Sequence, residues 1–149
     1  MHEAPHITVA SVVQQAGRFL MVKEIADGRE VYNQPAGHLE LGESLVAAAE
    51  RETLEETGWR VRATAFLGVY QHTSSHNGVC YVRHCFIADP VRREPERELD
   101  SAILEAVWMR LDEVKALEAD LRNPMVLEVL TDHEQGITYP LDLIKDWPQ

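Results

Sequence analysis

The segment SLVAAAERETLEET at residues 44–57 is the strongest constraint on how this chain folds. It is rich in Ala, Leu, Glu and Arg, the residues that lose least on entering a helix. Gly58 stands where a glycine commonly follows a helix C-terminus, and Ser44 or Glu43 can cap the start. On a wheel of about 100° per residue, Leu45, Ala48 and Ala49 fall within roughly 60° of Glu52. Glu55 and Glu56, three and four residues on, fall in the same sector. One stripe is therefore apolar in its first half and acidic in its second. A second stripe, Val46, Ala49, Thr53 and Thr57, lies about 90° round, so the helix has a broad face to bury.

The ordinary fate of helical glutamates is a solvated face. Like charges at i,i+4 cost only about 0.2–0.5 kcal/mol when exposed, so repulsion does not decide the matter. Position does. Carboxylates that prolong a core stripe are partly desolvated and need a partner. Arg51 is one, but a single guanidinium cannot satisfy three carboxylates. A hard divalent cation can, because Mg²⁺ prefers oxygen ligands and keeps waters that a phosphate can displace. The spacing alone thus favours a metal site over a solvated face.

The rest of the chain reads as strands and shorter helices. Residues 6–13 and 19–24 are apolar, β-like runs separated by Gln-Ala-Gly-Arg, and Asp27-Gly28 marks a further turn. Residues 31–34 are extended and run into Pro35, which lacks an N–H and restricts its predecessor. Residues 65–72 and 79–88 read as strands, with Ser74 to Gly78 as the hairpin between them. Residues 92–98 are charged and predict an exposed loop, and residues 106–110 predict a strand. Residues 112–118 predict a short helix capped by Asp112. Asn123-Pro124 opens a last helix that runs to about Glu134. Strands before, between and after helices give a mixed α/β domain.

Length and charge narrow the function. The 149 residues suit one compact domain, spanning 1–149. A net charge of −11 argues against a nucleic-acid binder, which needs a basic surface. It allows a small phosphorylated substrate if a divalent cation brings the positive charge. No stretch approaches the roughly 20 apolar residues of a membrane span. The N-terminal residues lack the pattern of a signal peptide. Cys80 and Cys85 stand five apart in a β-like run and point to opposite faces, so no mutual disulfide is expected. Free thiols suggest a reducing, cytoplasmic compartment. Residues 37–44 (GHLELGES) match the phosphate-loop spacing except that Glu43 stands where the lysine belongs. The reversed charge rejects that reading.

Residues 37–59 resemble the Nudix box, G-x5-E-x7-R-E-U-x-E-E-x-G-U, where U is aliphatic. Gly37, Glu43, Arg51, Glu52, Glu55, Glu56 and Gly58 all stand in register. With residue frequencies of about 6–7%, chance gives this on the order of 10⁻⁸ to 10⁻⁹ per start position. Thr53 and Trp59 depart from the pattern, both at packing positions. The resemblance extends to residues 7–13, 32–40, 121–130 and 139–144, and so spans most of the chain.

The resemblance implies a Nudix fold, a mixed β-sheet sandwiched between α-helices. It also implies a Mg²⁺-dependent hydrolase of phosphoanhydride bonds, with Mn²⁺ as a substitute. The branch it is most similar to releases phosphate from nucleoside tri- and diphosphates and from the thiamine precursor hydroxymethylpyrimidine pyrophosphate. Carried over residue by residue, Glu52, Glu55 and Glu56 would ligate the metal with the Gly37 carbonyl nearby. Glu52 or Glu56 would handle the proton of the attacking water. Arg51 would orient a glutamate and pair with Glu43.

Outside the box, Tyr32 and Trp108 are candidates to stack on a substrate ring, and Arg83 to bind a phosphate. Glu105 and Asp100 are candidates for an extra ligand or base, and His72 and His76, on the flanks of a loop, are further candidates with no role assigned. A monomer is expected, with an oligomer left open. The competing readings are a pyrophosphatase that cleaves an internal pyrophosphate, as in ADP-ribose, and a nucleotide sensor without activity.

Overall fold

A computed structural model describes residues 4–147. Seven strands form one mixed sheet. These are β1 (His6–Gln15), β2 (Arg18–Ala26), β3 (Arg29–Asn33), β4 (Ala36–His38), β5 (Trp59–Thr73), β6 (Cys80–Arg93) and β7 (Ile103–Met109). The helices are α1 (Leu45–Thr57), α2 (Leu111–Ala116) and α3 (Met125–Glu134). Strands β1 and β6 run parallel at the centre, from His6 opposite Tyr81 to Val13 opposite Ala88. Every other pairing is antiparallel: β5 on β6, β4 and β2 on β1, and β3 and β7 on β2.

Alternation along β1 separates two cores, because successive side chains point to opposite faces. Val9 packs with Ala48 and Ala49 of α1 and with Phe66 and Phe86. Ala10 and Val12 pack on the other face with Phe19, Met21, Leu67 and the apolar side of α3. The sheet is thus covered on both faces. Continuous apolar runs such as Phe19–Val22, buried throughout, follow from that.

Helix α1 has the ends its sequence predicts. Ser44 Oγ accepts from the Ala47 N–H at 3.0 Å, and Gly58 takes a left-handed conformation at φ 75° while its N–H donates to the Leu54 carbonyl. Small residues let α1 approach β1 closely. Thr53 Oγ1 lies 2.9 Å from Ser11 Oγ and donates to the Ala49 carbonyl. The aliphatic residue usual in the box is thereby replaced by a hydroxyl with a partner on the sheet. Trp59, the other departure, packs edge-on against Trp108 at 5.5 Å between ring centres.

Several boundaries differ from expectation. Strand β5 begins directly after Gly58, and β6 runs on through Arg93, so Arg92 and Arg93 are strand and not loop. Strand β4 carried no local signal; three residues extend there because β1 pairs with them. Helix α2 starts at Leu111 and ends at Ala116, followed by a 3₁₀ turn at Glu118–Asp120. Asp112 lies within its first turn and does not cap it. The Glu113 carboxylate takes the Arg110 N–H instead, at 2.8 Å. Cys80 and Cys85 are both free thiols. No helix among the described residues is long and apolar enough to cross a membrane.

The end of α1 is closed by the chain that follows β6, where the Glu94 N–H donates to the Gly58 carbonyl at 2.7 Å. A Cβ on Gly58 would stand 3.2 Å from the Glu94 carbonyl in addition to the strain of a left-handed backbone. Gly58→Ala should therefore lower the unfolding free energy by about 1–2 kcal/mol, read from urea denaturation. An unchanged midpoint would show that this helix end relaxes freely.

Candidate active site

Strand β4 and helix α1 build the centre of the site. The backbone of residues 35–39 is pinned along β1: Ser11 donates to the Pro35 carbonyl, and Leu39 donates to the Ile7 carbonyl. This sets Gly37 opposite Val9 and directly against α1. A Cβ on Gly37 would fall on the Glu52 carboxylate, so the glycine is the clearance that lets this acid reach the sheet. Displacing a flexible carboxylate is cheap for the fold but moves the acid away from its position.

Arg51 organises the acids. Its Nε and Nη2 donate to the two Glu43 oxygens at 3.0 and 2.7 Å. Nη1 donates to Glu52 at 2.9 Å and to Glu55 at 3.1 Å, and Nη2 also reaches the His38 carbonyl at 3.0 Å. The guanidinium holds the Glu43 carboxyl below the usual carboxylate range, and Glu43, then Glu52, in turn hold the guanidinium above its own.

Glu56 stands apart. It is 8% exposed, and its Oε1 accepts from the Ala36 N–H at 2.9 Å, its nearest stabilising partner. Burial pushes its carboxyl up to about 9, with Glu24 and Glu52 adding repulsion. Glu52 is also raised, first by burial and against the pull of Arg51.

The predicted trio divides. Glu52 and Glu56 line a cleft of about 440 Å³, together with Gly37, Glu24, Arg83 and Arg122. Glu55 is not part of that lining, but Glu52, Glu55 and Asp100 bring carboxylate oxygens within 4.8 Å of one another. Glu52 belongs to both groupings. The loop bearing Asp100 is fastened to the helix end by the Asp100 N–H, which donates to the Glu55 carbonyl. Oxygen donors alone, at this spacing, fit a hard divalent cation and not a soft one.

The cationic wall of the cleft is built from β3, β6 and the approach to α3. Arg83 is 5% exposed, and its donors meet neutral acceptors, Gln34 Oε1 at 3.0 Å and Asn33 Oδ1 at 3.2 Å. Burial lowers its pKa. Arg122 is ion-paired to the buried Glu24, which also accepts from Asn33.

The other sequence candidates lie elsewhere. Tyr32 packs on the α3-side core, with Lys23 Nζ 5.9 Å from its ring centre. Trp108 packs on Trp59. Glu105 stands on β7 opposite Lys23 and outside the cleft. His72 and His76 line a neighbouring cavity. Glu24, Tyr81 and Arg122, which sequence reasoning left unassigned, do line the cleft. Glu24 had one signal, a charge within an apolar strand.

The chain is also similar to known proteins. The NUDIX domain family matches residues 4–129. The chain is 39% identical to the phosphatase NudJ of Escherichia coli K12 over 147 residues, 97% of this chain and 94% of that protein. Among solved structures, a NUDIX hydrolase from Nitrosomonas europaea superposes with a TM-score of 0.94 at 41% identity, covering 97% of this chain and 98% of that one. An ADP-ribose pyrophosphatase from Streptococcus suis superposes with a TM-score of 0.66 over 89% of this chain and 93% of that one. At 14% identity, that likeness is one of fold alone.

The position of Glu56 has a measurable consequence. Native Glu56 keeps its proton up to about pH 9, whereas the unfolded chain loses it near 4.5. The native state binds more protons in that window, so with divalent ions removed stability falls as pH rises through it. Melting curves from pH 5 to 9 in chelator should show this fall, and Glu56→Gln should flatten it and melt higher at pH 8. Equal slopes in the two proteins would contradict burial as the cause.

Proposed function

This chain belongs to the NUDIX family of hydrolases, and on that footing we propose that it is a Mg²⁺-dependent phosphatase acting on nucleoside tri- and diphosphates. Hydroxymethylpyrimidine pyrophosphate falls within the same proposed range. The observation that carries the reading is the cleft itself, which sets Glu52 and Glu56 in one space with Arg83 and Arg122. Similarity to the phosphatase NudJ along nearly the whole chain supports orthophosphate as a product. We take residues 1–149 as one domain of this kind, working as a monomer in the cytoplasm; the two free thiols support that compartment.

In this reading Glu52, Glu55 and Glu56 hold the cation, Gly37 offers its carbonyl, and Asp100 stands within reach of the same group. A divalent cation bound there neutralises phosphate charge and makes water more acidic. Mn²⁺ offers similar chemistry and serves as a substitute. Arg83 and Arg122 bind the phosphate chain and fix its direction. Arg83 suits this role because the acceptors that hold its buried guanidinium, Gln34 and Asn33, are neutral side chains. The water oxygen joins the terminal phosphorus, and the bridging P–O bond breaks. The shortened phosphate chain leaves with the electron pair, and the water proton passes to Glu52 or Glu56. Arg51 positions Glu52 and Glu55 and does not touch substrate. With the reacting groups held in place, positioning and electrostatics supply most of the rate.

Phosphorus NMR of a nucleoside triphosphate incubated with the protein and Mg²⁺ should show orthophosphate and the nucleoside diphosphate. Glu52→Gln should slow this by at least about 100-fold. Two monophosphates from a dinucleotide, with no orthophosphate from any nucleotide, would instead establish an internal pyrophosphatase. Tight nucleotide binding without turnover would establish a sensor.

A further inference from the structure

A second cavity, of about 610 Å³, adjoins the catalytic cleft. It lies between the β5–β6 hairpin and the first turns of α3. Tyr81, Arg122 and Asn123 line both spaces, so one wall serves the two. That wall is held from several sides. The Tyr81 hydroxyl accepts from Asn77 Nδ2 at 2.9 Å, and its ring meets the edges of His6 and His38 at 5.6 and 6.4 Å between centres. Arg122 is fixed by Glu24 and by its own N–H, which donates to the Tyr32 carbonyl at 2.8 Å.

The two spaces differ in chemistry. The cleft gathers buried charge: Glu24, Glu56 and Arg83 are each less than a tenth exposed. The second cavity sets apolar surface from Leu121, Pro124 and Leu127 beside the Tyr81 ring, and the polar or charged Asn123, Thr131, Asp27, Arg29, Glu118 and Glu128 complete its rim. Apolar surface bordered by hydrogen-bonding groups is what a flat heterocycle needs, faces covered and edges hydrogen-bonded. Each volume falls within the usual range for ligand sites, about 300–1,000 Å³.

We propose that this second cavity takes the organic half of the substrate, a nitrogen heterocycle with any attached sugar, while the phosphates pass Tyr81 and Arg122 into the Glu52–Glu56 cleft. The inference rests on the cleft being the phosphate end, as proposed above. It replaces Tyr32 and Trp108 with Tyr81 as the aromatic contact. It also gives His72 and His76 a place, on the wall of the ring site.

Two uncleavable probes separate the halves: a methylene-bridged nucleoside diphosphate and methylenediphosphonate, each with Mg²⁺ and isotope-labelled protein. The nucleotide analogue should shift the amide signals of His72, Leu127 and Thr131 as well as those of Gly37 and Glu52. Methylenediphosphonate should shift only the latter pair. Leu127→Trp and Thr131→Trp, which fill the cavity from two positions, should each weaken the nucleotide analogue at least tenfold and methylenediphosphonate less than twofold. Nucleotide shifts confined to Gly37 and Glu52, or equal weakening of both probes by correctly folded variants, would overturn the inference. Nucleotide shifts confined to the second cavity, with no response to methylenediphosphonate at Gly37 or Glu52, would keep the ring site and remove the reading of the cleft.

Discussion

One guanidinium makes this site possible. Three carboxylates from α1 and the turn before it accept hydrogen bonds from Arg51, and its donors also hold the His38 carbonyl beside Gly37. Without that cation, Glu43, Glu52 and Glu55 would repel one another and turn toward water, and β4 would keep only the Ala36 N–H to Glu56 bond as its hydrogen-bonded tie to the helix. Arg51 is only partly exposed, so its interactions are screened less than those of a surface pair. The neighbouring packing follows from the same constraint. Small residues at Ala48, Ala49 and Ser11, and the absence of a side chain at Gly37, bring helix and sheet close enough for Glu52 to meet the backbone of β4.

Glu56 carries the cost of this arrangement. Arg51 does not reach it, and its neighbours Glu24 and Glu52 are acids, so burial leaves it protonated near neutral pH. A buried carboxyl that gains its charge when a cation arrives couples metal binding to proton release. On the proposed function, a cation arriving in the cleft would displace this proton. Arg83, in the same cleft, is a buried cation whose hydrogen-bond acceptors, Gln34 and Asn33, are neutral side chains. The cleft thus brings the acids Glu24, Glu52 and Glu56 into one space with Arg83 and Arg122, the arrangement on which the proposed reading rests.

Much of this was legible in the sequence because it is local. The ends of α1, the glutamates at its acidic edge and the glycine turns each follow from residues within one helical turn of one another. The length of β5 and β6 was less legible. Strand β5 leaves Gly58 with no turn residue to announce it, and the charged residues from Arg92 read as loop although β6 continues to Arg93, opposite Trp59. Strand β4 exists only because β1 passes beside it. The division of Glu52, Glu55 and Glu56 between two groupings, and the arrival of Asp100 beside Glu55, depend on tertiary contacts that no helical wheel contains. Aromatic residues show the same limit. Tyr32, Tyr81 and Trp108 are indistinguishable as ring-stacking candidates until the sheet decides which face each one takes.

The most direct test of the account is a calorimetric titration of Mn²⁺ into the metal-free protein at pH 7.5, repeated in buffers of different ionisation enthalpy to count protons. Saturable binding with release of about one proton, and loss of that release in Glu56→Gln, is the predicted result. No saturable binding, or binding whose proton count is the same in wild type and Glu56→Gln, would contradict the claim that the carboxylates of α1 form a buried metal site.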